Sequence, residues 1–272
     1  MKKSDLVSAL HNNGIIRGTK LLLHSSYKSI DFEGAPEEVC QSFMEAVGDE
    51  GLLVMPAHSM NFKNHPKAKG PYNPGRSPST TGAITESFRK MPRVARSLHP
   101  SHSVAAWGTG ARELVKGHEK VDAEGAGSPL EKFSQMESTI LLMGCSIQSA
   151  TIMHVAEWLA EVPYLKEHYD PTWGYEAEYI DEEDGKIKPY SYKTVPGCSA
   201  GFVNAIPWLK EAGFFKELSL NKELSFLIDA KGLVRVVTEK LKQSPYALLT
   251  TDEEHIKTCY HCKQVQRMAR TV

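Results

Sequence analysis

Lys20-Leu21-Leu22-Leu23-His24 runs directly into Ser25-Ser26. The apolar run lacks the in-and-out alternation of a strand with one wet face. It predicts a strand covered on both sides, as in the parallel part of an α/β sheet. Upstream, residues 4–13 place Leu6, Val7 and Leu10 on one helical face, and Asn13-Gly14 closes that helix. Downstream, a helix over 36–47 opens on Pro36, with Glu37 and Glu38 at its positive end. A second strand follows in Gly51-Leu52-Leu53-Val54-Met55-Pro56, and the same reading gives strands at Val104–Gly108, Ser138–Gly144 and 224–228. Helices are expected at about 81–91, 109–118, 129–135, 150–162, 202–216 and 231–243. Residues 174–195 predict a polar hairpin around Asp184-Gly185. Alternating helices and strands of this kind define an α/β protein.

The 272 residues suit one large domain, and 41% apolar against 24% charged residues is the balance of a globular chain with a sizeable core. Lys+Arg 32 against Asp+Glu 33 leaves a net charge of -1. That balance argues against a nucleic-acid or membrane-surface partner, both of which call for a basic excess. No run approaches the roughly 18 apolar residues needed to span a bilayer, and no signal-peptide core follows Met1-Lys2-Lys3-Ser4-Asp5, so a cytoplasmic location is expected. Cys40, Cys145, Cys198, Cys259 and Cys262 are odd in number and scattered, which predicts reduced thiols.

The chemically loaded positions share strand ends. His24-Ser25-Ser26, Pro56-Ala57-His58-Ser59 and Gly144-Cys145-Ser146 each put small polar groups at a carboxyl end, where open α/β sheets bind ligands. Ser25 and Ser26 equally suit turn capping. No phosphate-binding G-x-x-x-x-G-K-[ST] loop and no G-x-G-x-x-G fingerprint occurs. His154 and Glu157 are the sharpest pair: at i and i+3 on a helix they share a face. A carboxylate bonded to one imidazole nitrogen fixes the tautomer and leaves the other nitrogen to accept a proton. The same spacing also suits a histidine that merely bonds its neighbour. Cys145 could serve as a nucleophile, in acyl transfer or in an amidohydrolase, but no base beside it is identifiable in the sequence.

Seven segments in order resemble the aminoglycoside 3-N-acetyltransferase family over about residues 5–245. They are Leu23-His24-Ser25-Ser26, Val54-Met55-Pro56, Arg96-Ser97-Leu98-His99-Pro100, Val104-Ala105-Ala106-Trp107-Gly108, Gly127-Ser128-Pro129-Leu130, Leu141-Leu142-Met143-Gly144 and His154-Val155-Ala156-Glu157. The resemblance implies a layered α/β/α sandwich around a central mixed, largely parallel sheet, with residues 1–250 as the antibiotic N-acetyltransferase-like domain and 251–272 as a tail. It implies transfer of an acetyl group from acetyl-CoA to an amine of an aminoglycoside or related amino sugar, the chemistry of antibiotic resistance. His154 matches the catalytic histidine and Glu157 the acid after it. Ser25, Ser26, Arg96, Ser97, His99, Ser103 and Trp107 match segments that line the CoA groove, Arg96 being placed to pair with a CoA phosphate; His58 and Ser59 fall at the acceptor side. A monomer or homodimer is expected. A CoA-binding module without catalysis is the alternative of another class, and the retained His154 and Glu157 speak against it.

The charge pattern departs from what a polycationic acceptor needs. Residues 57–84 hold no Asp or Glu but carry Lys63, Lys67, Lys69 and Arg76, with His58 and His65. This favours a less cationic, even anionic, amine as acceptor. The acidic cluster from Glu176 to Asp184 reads as the solvent face of the hairpin. In the tail, His255, Cys259, His261 and Cys262 form a lone C-x-x-C half-site with no second C-x-x-C to complete it, so no metal is expected. Lys263, Arg267 and Arg270 read as a frayed basic end.

Overall fold

The computed structural model describes residues 1–167, 170–220 and 224–271. Helix α1 (Lys3–Asn12) leads into β1 (Lys20–Ser25), α2 (Pro36–Val47) and β2 (Leu52–Pro56). After the long 57–82 segment come α3 (Ala83–Phe88), the two-residue β3 (Ala95–Arg96), β4 (Val104–Gly108), α4 (Ala111–Val115) and α5 (Pro129–Ser134). Then follow β5 (Thr139–Met143), α6 (Met153–Leu159) and the hairpin β6 (Glu176–Ile180) and β7 (Ile187–Ser191). The chain continues through α7 (Ile206–Glu211), β8 (Phe215–Ser219), β9 (Leu224–Asp229) and α8 (Ala230–Gln243) to α9 (Glu253–Thr258) and α10 (Tyr260–Ala269).

Seven strands form one mixed sheet in the order β3-β4-β2-β1-β5-β9-β8. β1 pairs in parallel with β2 and β5, and these three make the centre. The outer pairings, β2 with β4, β3 with β4, β5 with β9 and β8 with β9, are antiparallel. The parallel character is thus confined to the middle, where the non-alternating leucines lie.

Leu21, Leu22 and Leu23 alternate between two buried layers. Leu21 and Leu23 meet Leu53, Met55, Leu141 and Met143 beneath α1 and α2; Leu22 meets Val54, Ile140 and Leu142 beneath α5, α6 and α8. A leucine truncated here loses about 2–5 kcal/mol, because neither layer can collapse onto the gap. At the end of β5 the chain must turn sharply. Gly144 does so at φ +66, where a Cβ would come within 2.9 Å of Ser29 Cβ.

The 57–82 segment and the hairpin β6–β7 build a third, smaller core of Phe62, Tyr72, Ala177, Tyr179, Tyr190, Tyr192 and Val195. The hairpin therefore buries one face while Glu176 and Glu178 point outward. Lys63 is ion-paired with Glu176 at 2.6 Å, so part of the basic segment's charge is answered by the acidic hairpin.

Two sequence expectations need correction. The helix expected over 202–216 stops at Glu211, because Gly213 at φ +75 ends it, and Phe215–Ser219 becomes the edge strand β8. Its burial is too slight to give an apolar pattern. The C-terminal residues are not frayed: Lys263 and Arg267 lie on α10, which buries Val265 and Cys262 and caps its C-terminus with Arg270. No helix among the described residues is long and apolar enough to cross a membrane.

Candidate active site

A cavity of about 480 Å³ opens at the carboxyl edge of β1 and β2. Its wall includes Ser25 from the end of β1, Pro56 from the end of β2 and His154 from the start of α6. This is where a parallel sheet with flanking helices leaves room, because the connections diverge beyond the strand ends.

His154 and Glu157 are both buried on the inner face of α6. His154 Nδ1 donates to Glu157 Oε2 at 2.6 Å, and Tyr164 Oη donates to Glu157 Oε1 at 3.0 Å. Glu157 is thus held at both oxygens, and the imidazole it fixes has Nε2 left over, without a hydrogen-bond partner among the described residues. Behind the pair, Glu124 is buried and its carboxyl is pushed well above the usual range by desolvation, with Glu157 and Asp122 adding to the effect. Burial thus favours its neutral form over a second buried negative charge beside Glu157.

Three further histidines line the cavity: His24, His58 and His102. Burial pushes His24 and His58 down to about 3, so both are neutral imidazoles at physiological pH. Their Nε2 atoms are buried without a hydrogen-bond partner among the described residues, and the His58 and His102 rings lie 4.7 Å apart, centroid to centroid. Buried polar atoms seldom stay unpaired, and with almost no exposed surface the two Nε2 atoms need a small ring movement before a partner can reach them. Met60, Phe62, Trp173, Val195 and Phe202 supply the apolar wall, and among the described residues no Asp or Glu lines it.

The structure brings His154, Glu157, Ser25 and His58 to this place and puts the other sequence candidates elsewhere. Ser26 closes the end of β1: its N–H donates to the Met143 carbonyl at 3.0 Å and its hydroxyl accepts from Ser29. Ser59 spends its hydroxyl on the Pro100 carbonyl. Arg96 is a clamp within the fold. Its guanidinium donates to Ser103 Oγ at 3.0 Å and to the carbonyls of Pro74, Ser77 and Ala57, which leaves no fork for a phosphate. Ser103 Oγ also donates to the Ala57 carbonyl. Ser97 is bonded to His118 Nδ1 at 2.8 Å, and His99, fully buried, bonds Tyr190 Oη through Nε2. Trp107 sits at the opposite end of the sheet, opposite Leu53 in register and beneath Arg93. These residues fasten the segment around the cavity instead of lining it. Cys145 is also absent from the wall, and burial pushes its thiol up to about 11, away from nucleophilic use.

The sequence reading missed Tyr164, His102 and Glu124. Tyr164 lies beyond the end of α6, where no helical spacing ties it to Glu157; His24, by contrast, stood in view beside Ser25.

Comparison with known proteins places this arrangement. Residues 22–242 match the sequence profile of the family described as aminoglycoside 3-N-acetyltransferase. Aminoglycoside N(3)-acetyltransferase IV from Salmonella sp is 29% identical over 255 residues, covering 93% of this chain and 92% of that protein. The SPbeta prophage-derived aminoglycoside N(3')-acetyltransferase-like protein YokD from Bacillus subtilis (strain 168) is 32% identical over 183 residues, or 60% of this chain and 66% of that one. Among solved structures, the apoenzyme of the aminoglycoside acetyltransferase AAC(3)-IVa superposes with a TM-score of 0.78 at 27% identity, over 98% of this chain and 96% of that one. A histidine-to-alanine mutant of the same enzyme, in complex with a gentamicin, superposes with a TM-score of 0.81 at the same identity and coverage. The fold is that of an acyltransferase. The chain belongs to the aminoglycoside 3-N-acetyltransferase family.

Proposed function

We propose that this chain moves an acetyl group from acetyl-CoA to an amine of an aminoglycoside or related amino sugar, in the cytoplasm, with His154 as general base in a direct transfer. The observation that carries the reading is the His154 Nδ1 to Glu157 Oε2 bond of 2.6 Å at the wall of the cavity. Acetyl-CoA supplies an activated thioester. His154 Nε2 takes the proton that the acceptor nitrogen sheds as its bond to the acetyl carbon forms, and Glu157 stabilises the resulting imidazolium. The departing thiolate takes a proton in turn, so the histidine is restored. Ser25 is the remaining hydroxyl of the β1 end in the wall and the candidate CoA contact. That AAC(3)-IVa was captured with a gentamicin as a histidine-to-alanine mutant supports the assignment.

The carboxylate-free lining favours a second reading of the acceptor, an amine with fewer positive charges. A charge pair near 4 Å is worth about 4 kcal/mol at an effective dielectric of 20, and the lining offers none to a polycation. Thioester consumption, followed with a thiol reagent, decides between them. A kanamycin-type polycation turned over as fast as neutral or anionic amino sugars removes the second reading; a strong preference for the latter establishes it. No acetyl-CoA consumption with any amine would leave only a binding module.

A further inference from the structure

The tail that looked like half a metal site acquires its missing ligand from the other side of the chain. Cys198 lies 57 residues before His255 in sequence, yet their Sγ and Nε2 atoms are 3.0 Å apart. With Cys259 and Cys262 they offer four ligand atoms that all lie within 4.8 Å of one another, Cys262 buried and the other three half-buried. Bonds of about 2.3 Å from a tetrahedral zinc would set sulfurs roughly 3.8 Å apart, so the cluster needs only a slight contraction. We propose that Cys198, His255, Cys259 and Cys262 form a structural zinc site that fastens α9 and α10 to the wall of the active-site cavity.

The donor set selects the metal. Three thiolates and one imidazole in a tetrahedral cage suit Zn²⁺, and four protein ligands close it, as in structural sites. Binding displaces the three thiol protons to solvent. Neighbouring residues hold the ligands in place. Asp252 caps α9 and accepts from the His255 N–H at 3.1 Å. The Cys198 N–H donates to His261 Nδ1 at 3.3 Å, and the His261 ring occupies the space that a Cβ on Gly197 would fill. Pro196 and Gly197, immediately before Cys198, line the cavity beside His154. The His261 ring also meets Tyr164, the partner of Glu157, edge-on at 6.1 Å between centroids. A metal here would pin the last wall of the active site without touching the reaction.

The test is metal content and spectroscopy of the intact protein, read independently of acetyl transfer. Protein purified without chelators should carry one zinc per chain, released by a thiol-binding mercurial. Cobalt loaded in its place should give the intense visible bands of a tetrahedral, thiolate-rich ion. Cys259→Ser should lose the metal, and His255→Cys, which preserves four ligands, should retain it with cobalt bands shifted as a fourth thiolate replaces nitrogen. Wild-type protein that holds no zinc above the Cys259→Ser level and develops no tetrahedral cobalt bands would overturn the proposal. So would a disulfide among Cys198, Cys259 and Cys262 persisting in reduced protein.

Discussion

Two histidines anchor two clusters that meet at one loop, and they are assembled in opposite ways. His154 and Glu157 are three residues apart on a single helix, so α6 alone brings them to 2.6 Å. Cys198 and His255 are separated by most of the C-terminal third of the chain and are joined only because α9 and α10 fold back over the 195–202 segment. The local pair is stiff by virtue of its helix; the distant one depends on tertiary docking. Catalysis needs a group held within a fraction of an ångström, which a single helix delivers. A cross-link does its work by joining parts that are otherwise far apart.

That contrast breaks first, and with the largest effect, at His154. His154→Ala should lower kcat for acetyl transfer by about 10²–10⁴-fold, the usual contribution of a general base, with the far-UV circular dichroism of the folded chain retained. A kcat within a few-fold of wild type would remove the histidine from the chemistry and leave the pair a structural one.

Next comes acid. His24, His58 and His118 are buried, and desolvation holds each down to about 3 in the fold, well below the roughly 6.5 of an unfolded chain. The unfolded state therefore takes up their protons first. Stability is whole above about pH 6.5 and lost as pH falls from there towards 3, by up to about 1.4 kcal/mol per pH unit for each of the three. Against a total of roughly 5–15 kcal/mol, that should unfold the domain within a few units. Urea midpoints measured between about pH 7.5 and 4.5 should fall steeply; a flat profile would mean that these imidazoles are not sealed from water.

Glu157→Gln sharpens the local half of the comparison. The amide matches the carboxylate in shape but removes the charge that stabilises the imidazolium. A charge-assisted hydrogen bond is worth about 1.5–3 kcal/mol, which predicts a loss of roughly 10- to 150-fold in kcat with KM little changed. A rise in KM instead would make Glu157 a contact for the acceptor.

Much of this was legible before any coordinates, for physical reasons. The unbroken leucines of β1 report two-sided burial, and a helical i, i+3 pair carries its own geometry. Arg96 could not be read: an Arg-Ser-Leu-His-Pro turn says nothing of whether its guanidinium points at a ligand or at the carbonyls of Ala57 and Pro74, because both uses need the same cation. β8 escaped because an edge strand with one buried residue leaves no periodic signal. Cys198 escaped because no spacing rule connects it to a C-x-x-C about sixty residues on; only the path of the tail does.

Tyr164 lies between the two modes of assembly, and its effect should be the smallest. It follows α6 closely in sequence yet reaches Glu157 Oε1 from outside the helix, with the tail's His261 against its ring. Tyr164→Phe removes one neutral-to-carboxylate hydrogen bond and keeps the packing. A loss of about 1 kcal/mol corresponds to roughly fivefold in kcat, together with a carboxylate free to rotate away from His154. If the local pair is self-sufficient, the pH profile of kcat in this variant should keep its shape and only drop. A shifted acid limb would mean that the proton affinity of His154 depends on a residue held from the tail side, and the helix would then not be the whole of the catalytic unit.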